Sequence, residues 1–239
     1  MDQELIVRDR AIRNVTRWAV GMTTAPRDEP ALVRSVASLA EAGWGQPRLF
    51  VEPESGIPPQ LSHLPMSSRD SRLGAFPNWY LGLTELYLRE PRAEAYLMCQ
   101  DDVLFSVGLR DYLERTLWPA PQVGIVSLYC PSHYAKDVPS GYYIENHGWA
   151  SWGALAYVFS NPGLRQLLSD RLFVDHRHCG PANGAHNIDS IVGKWCGERS
   201  LPYYVHMPSL AQHIGDTSTI FQGATNRGRR KASQFLERV

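Results

Sequence analysis

The stretch YLMCQDDVLF, residues 96–105, runs from apolar residues into two adjacent carboxylates, Asp101 and Asp102, and turns apolar again at once. Like charges at the end of a buried strand repel each other unless a cation stands between them and a ligand. Hard oxygen donors of this type suit Mg2+ or Mn2+, which bind through one or two carboxylates together with substrate phosphates and water. The competing interpretation is an acidic turn that caps the next helix. Asp189, in HNIDSIVGKW (186–195), falls in the first turn of a predicted helix, where the helix dipole alone favours a carboxylate. His176, His178, Cys179 and His186 also cluster in sequence, but the spacing HxHC…H matches no frequent zinc pattern and suits contacts to a substrate better.

The elements that must position these groups alternate. RWAVGM (17–22) reads as a strand, followed by the polar loop TTAPR and a helix from Pro30 to Ala42 with Leu32, Val33, Val36, Leu39 and Ala40 at helical spacing. PRLFVEP (47–53) is a second strand, and 73–88 a second helix that leads across Glu90-Pro91 into the acidic strand. Next come a helix at about 107–117, a strand at 123–129 and a Tyr- and Gly-rich loop from Cys130 to Gly148, in which Tyr134, Tyr142 and Tyr143 are expected to form a mobile lid. A strand at 152–160, a helix opened by Pro162, a helix capped by Asn187, and a strand with an irregular segment over 203–215 complete the pattern. The alternation predicts a single α/β domain, a mostly parallel central sheet flanked by helices, with the acidic pair at the carboxyl edge where open sheets bind ligands.

Composition sets the broad class. The 239 residues are 44% hydrophobic and carry 24 basic and 24 acidic side chains, so a sizeable core is possible and no global field draws the chain to nucleic acid or an anionic membrane. Arg227, Arg229, Arg230 and Lys231 form a local basic patch, read as a solvated tail. The charged start MDQELIVRDR and the absence of an apolar run near the ~18–20 residues of a membrane span predict a cytoplasmic location. The four cysteines have no CxxC spacing and are expected to be reduced.

QDDV before a helix resembles the degenerate DXD motif of GT-A glycosyltransferases, with Gln100 at the usual first acidic position. The resemblance implies a Rossmann-like GT-A catalytic domain over 17–222, preceded by an extension (1–16) and followed by a basic tail (223–239). It gives the divalent metal, Mn2+ or Mg2+, to Asp102 and places Asp101 against the ribose or donor sugar. TTAPR looks like the first nucleotide loop, with Thr23, Thr24 and Arg27 beside base or phosphates. Glu52 stands where an acid often meets the base. RLGAFPNWYLGL (72–83) resembles the corresponding helix of Golgi N-acetylglucosaminyltransferases, making Arg72 and Asn78 donor contacts. PSLAQHIGDTSTI (208–220) resembles their closing segment, in which His213 completes the metal site and Ser218 or Thr219 meets phosphate.

By the same resemblance GWASWG (148–153) positions donor sugar and acceptor, with Trp149 and Trp152 offering ring faces to a pyranose, and Asp189 becomes the base of an inverting reaction. The implied function is metal-dependent transfer of a sugar from a nucleotide-diphosphate donor, a UDP-sugar by the family's pattern, to the hydroxyl of a glycan, lipid, protein, small molecule or modified nucleic-acid base. A non-catalytic sugar-nucleotide or glycan binder of the same fold is the alternative, with Gln100 in its favour. A phosphate-handling hydrolase needs a water-activating group that the sequence does not supply.

Overall fold

A sheet with apolar residues on both faces can be shielded from water only if helices pack on both sides. The computed structural model describes residues 15–27, 30–215 and 231–239 and has this arrangement. In chain order the elements are β1 (Trp18–Thr24), α1 (Leu32–Glu41), β2 (Arg48–Val51), β3 (Met66–Ser68), α2 (Ala75–Arg89), β4 (Ala95–Gln100), β5 (Val103–Phe105), α3 (Leu109–Thr116), β6 (Ile125–Ser127), β7 (Gly141–Ile144), β8 (Ala156–Ser160), α4 (Asn161–Ser169), the single turns α5 (Arg171–Val174), α6 (His176–Cys179) and α7 (Pro181–Gly184), α8 (Ile188–Glu198), β9 (Tyr203–Met207) and β10 (Ala211–His213).

The main sheet has the order β3-β2-β1-β4-β8-β6-β9-β7. β1 is parallel to β2 and β4, β2 to β3, and β6 to β9, whereas β8 runs antiparallel to β4 and β6 and β7 antiparallel to β9. The sheet is therefore mostly parallel, as the sequence predicts. Strand β4 explains its unbroken apolar run: Leu97 and Cys99 enter one core with α1 and α3, and Tyr96 and Met98 enter the other with α2, α4 and α8.

Three expectations change. The segment 130–148 is not a lid, because β7 lies within it and pairs with β9. Tyr134, Tyr142 and Tyr143 are buried, the Tyr142 hydroxyl bonding Thr116 Oγ1 at 2.8 Å and Tyr143 donating to the Pro139 carbonyl at 2.6 Å. Asn187 does not cap α8 through its side chain; it sits in the left-handed region at φ 67°. Residues 231–239, read as tail, pack on the body: Val107 N–H donates to the Glu237 carbonyl, Leu236 N–H to the Ser209 carbonyl, and Ala232 is buried. Arg227, Arg229 and Arg230, like Ser218 and Thr219, lie outside the described residues. Among the described residues no helix is long and apolar enough to cross a membrane.

A second, two-stranded sheet of β5 and β10 leaves one edge of β5 facing α1. Two serines of α1 supply what a neighbouring strand would. Ser35 Oγ donates to the Asp101 carbonyl at 2.8 Å and accepts from Val103 N–H at 3.0 Å, and Ser38 Oγ accepts from Phe105 N–H at 2.8 Å. The backbone that carries the acidic pair is thus fixed by a helix side chain. Ser35→Ala leaves a buried carbonyl and N–H unpaired, so urea denaturation should register a loss of about 1–3 kcal/mol; an unchanged midpoint would contradict this role.

Candidate active site

Asp101 and Asp102 are both 2% exposed and sit in the turn between β4 and β5. Arg27 bridges them: Nη2 lies 2.6 Å and Nε 2.8 Å from Asp101 Oδ1, and Nη1 lies 2.9 Å from Asp102 Oδ2. Thr24 donates its hydroxyl to Asp101 Oδ2 at 2.5 Å, with the Ala25 N–H at 3.4 Å. His213 Nε2 stands 3.0 Å from Asp102 Oδ2. Burial pushes the Asp101 carboxyl above its ordinary range despite the pull of Arg27, and the Asp102 charge adds to the rise. Burial also acts to raise Asp102, but the His213 hydrogen bond and the Arg27 charge outweigh it and hold that carboxyl low.

Beside this cluster a cavity of about 350 Å³ is lined by Thr23, Thr24, Arg27, Glu52, Arg72, Asn78 and Asp101, together with Gln100, Ala185, His186 and Ile188. Seven residues singled out in the sequence for donor contact therefore meet at one place. Several of them are already engaged by protein groups. Arg27, expected on base or phosphate, is engaged by the acidic pair. Glu52, expected to meet a base, accepts N–H bonds from Leu73 at 2.9 Å and Gly74 at 3.1 Å and so fixes the entry to α2. Asn78 is a buried strut, donating to the Phe50 carbonyl at 3.1 Å and accepting from Arg69 Nε at 2.9 Å. Gln100 donates its amide to the Ala154 carbonyl at 3.1 Å. Arg72 is exposed at the cavity and has no ion-pair partner among the described residues. Thr23 is half-buried, its hydroxyl 3.4 Å from the Cys99 carbonyl.

Asp189, Trp149, Trp152, Asp102 and His213 do not line that cavity. Asp189 follows Ile188, which does. Its carboxylate accepts the Ser190 N–H at 3.0 Å and the Gly153 N–H, yet burial pushes it from 3.8 to about 6. The loop it touches is packed tightly on α8: a Cβ on Gly193 would collide with Ser151 Oγ and the Gly148 carbonyl. Trp149 and Trp152 are 43% and 37% exposed, Trp149 beneath Lys194 Nζ at 5.8 Å and Trp152 edge-on to His133 at 5.1 Å.

Tyr134, expected in a lid, and residues that the sequence did not single out hold these groups. Tyr134 accepts the Trp152 N–H at 2.9 Å, and the Tyr203 hydroxyl donates to the Trp152 carbonyl at 3.3 Å while bonded to Tyr157 at 2.9 Å. Glu145, buried, pairs with Lys136 and with His147 Nε2 at 3.2 Å. Arg69, which bonds Asn78, also pairs with Glu85 at 2.5 Å. Only the Tyr-rich character of the segment from Cys130 to Gly148 hinted at any of this.

The donor chemistry of Asp102 and His213, not of the fully engaged Asp101, suits a divalent ion. Asp102 Oδ1 and His213 Nδ1 are buried without a hydrogen-bond partner among the described residues. Asp102 Oδ2 and His213 Nε2, hydrogen-bonded at 3.0 Å, are the atoms that would hold such an ion, the carboxylate as a hard oxygen donor and the imidazole in its neutral form. A side chain at Gly215 would strike that same oxygen. Among the described residues no group of three or more His, Cys, Asp or Glu gathers, so water and substrate would complete the shell. The His176 cluster divides: His176 packs edge-on to Phe76 at 4.4 Å, exposed Cys179 donates to the Asp175 carbonyl, and His186 lines the cavity.

No protein-family model matches the chain, and no curated protein matches it in sequence. Solved structures do match. The mannosyltransferase PcManGT from Pyrobaculum calidifontis, solved with GDP-Man and Mn2+, aligns with TM-score 0.53 and 12% identity over 86% of this chain and 60% of its own. GalNAc-T7, solved with UDP, GalNAc and Mn2+, aligns with TM-score 0.54 and 10% identity over 84% of this chain and 44% of its own. The fold is the GT-A fold. A mannose-1-phosphate geranyltransferase from Thermus thermophilus shares it, with TM-score 0.52 and 13% identity over 80% of this chain and 74% of its own. The chain thus spans 60% and 44% of the first two.

Burial of the Asp189 carboxyl couples stability to pH. The folded state holds that proton more tightly than the unfolded chain, so its favourable contribution is present below the unfolded value and is lost as pH rises through about 6. Asp189→Asn removes the charge and keeps an acceptor. Denaturation curves should show the variant gaining on the wild type by on the order of 2 kcal/mol between about pH 4 and pH 8; a pH-independent difference would contradict the assignment.

Proposed function

We propose that this chain transfers a sugar from a nucleotide-diphosphate donor, a UDP-sugar, to an acceptor hydroxyl with inversion at the anomeric carbon. The observation that carries the reading is a single convergence: a cavity of about 350 Å³ at the carboxyl edge of β1, β2 and β4 is lined both by Asp101 of the buried acid pair and by Ile188, one residue before a carboxylate with a raised pKa. Fold neighbours solved with GDP-Man or UDP and with Mn2+ support it.

In this reading Arg72, with its guanidinium unpaired among the described residues, meets the diphosphate, and Thr23 and Thr24 line the nucleotide. A divalent ion held by Asp102 and His213 would neutralise charge on the leaving diphosphate. Trp149 and Trp152 present ring faces to the sugar or acceptor. The acceptor oxygen bonds to the anomeric carbon as the bond to the diphosphate breaks, and its proton passes to Asp189. A value near 6 leaves that carboxylate ionised at neutral pH while keeping it more basic than an ordinary aspartate.

A second reading is a sugar-nucleotide binder without catalysis. It is favoured by Arg27, which already neutralises the acid pair, and by Gln100, whose amide is committed to Ala154. Donor hydrolysis separates the two: an enzyme slowly releases UDP from a UDP-sugar when Mn2+ is present, whereas a binder gives thermal stabilisation alone. For the enzyme, the rate should rise with pH to a plateau above about 6. Asp189→Asn should lower transfer by about 10²–10⁴-fold with donor affinity held. Full transfer by that variant would refute Asp189 as base.

A further inference from the structure

Resting on the transferase reading of this site, we propose that Arg27 is a resident counter-cation: in the ligand-free chain it holds the acid pair in the metal's stead, so metal and nucleotide enter together and not metal first. The geometry is specific. One guanidinium, its side chain 11% exposed, reaches both carboxylates with three contacts of 2.6–2.9 Å. It shares Asp102 Oδ2 with His213 Nε2, the two atoms that fit a metal. An ion bound there while Arg27 stays in place would set a dication against a guanidinium on the same oxygen, and like charges at that range repel strongly.

Release of Arg27 does not strip the cluster of support. Asp101 keeps the Thr24 hydroxyl at 2.5 Å and the Ala25 N–H at 3.4 Å, and the backbone between the acids keeps Ser35. Arg27 also lines the donor cavity, so an arriving diphosphate offers its planar fork an equivalent anion within the same space. Asp102 Oδ1, buried without a partner among the described residues, keeps its lone pairs free for a further ligand contact. Nucleotide binding removes the competitor and metal binding compensates the acids that it leaves, which makes the two events mutually reinforcing.

Mn2+ titrations of the full chain, read from the electron paramagnetic resonance of the free ion with and without UDP, test this. Wild type should bind Mn2+ weakly alone and about tenfold or more tightly with UDP; Arg27→Gln should bind about tenfold more tightly than wild type without UDP and gain little from it. Arg27→Lys, which keeps the charge without the fork, should fall between wild type and Arg27→Gln, and Asp102→Asn should abolish the gain in the Arg27→Gln background. Thermal unfolding guards against a folding lesion: Mn2+ should restore the lowered Tm of Arg27→Gln.

Equal or weaker Mn2+ binding by Arg27→Gln, an undiminished effect of UDP in it, or a Tm that Mn2+ does not restore would overturn the proposal. Donor hydrolysis by wild type alongside such a result sinks the counter-cation alone; absence of both hydrolysis and Mn2+ binding in every variant sinks the transferase reading with it.

Discussion

Two carboxylates buried side by side are tolerated only where cations and hydrogen-bond donors reach them, because the desolvation of each charge is otherwise uncompensated. Asp101 and Asp102 impose that constraint, and sheet register meets it. Parallel pairing of β1 with β4 sets Thr23 opposite Gln100, so both strands end together and the chain from Thr24 to Arg27 runs into the acids. Antiparallel pairing of β10 with β5 sets His213 opposite Val103 and brings its imidazole to Asp102 across 111 residues of sequence. Ser35 closes the arrangement from α1.

The site consequently has two halves of different character. The acid side is charged and densely paired. The Asp189 side is built from aromatic groups and a close helix contact: Tyr134 and Tyr203 hold the backbone of Trp152, Gly153 donates to Asp189, and Gly193 lets α8 approach the 148–151 turn. Cavity-lining Ala185 and Ile188 connect the halves, Ala185 also accepting the Phe76 N–H at the start of α2. Burial within this packing raises the Asp189 pKa.

Much of this was legible in residue order. Apolar runs bounded by polar loops marked β1, β2, β4, β6, β8 and β9, since strands buried on both faces need no alternation. The position of QDD at a strand end located the cavity. What sequence could not carry was the choice of partner. Arg27 and Glu52 had the chemistry to meet a diphosphate and a base, but each is satisfied within the chain, by the acids and by the Leu73 and Gly74 N–H groups. Asn78 sits on the α2 face turned to β2, and its burial depends on how that helix lies on the sheet. β7 escaped notice because four residues between Pro, Ser and Gly look like a loop until β9 supplies an edge, and residues 231–239 gain their order from contacts with distant Val107 and Ser209.

On the proposed function a cation faces Asp102 in both states, Arg27 in the chain as it stands and a divalent ion once donor binds. Anomalous diffraction at the manganese edge from crystals grown with UDP and Mn2+ tests that requirement most directly. The expected result is a peak within bonding reach of Asp102 and His213, with the Arg27 guanidinium turned from the acids to the diphosphate. A nucleotide-bound structure in which Arg27 still bridges both carboxylates and the peak lies elsewhere would contradict it.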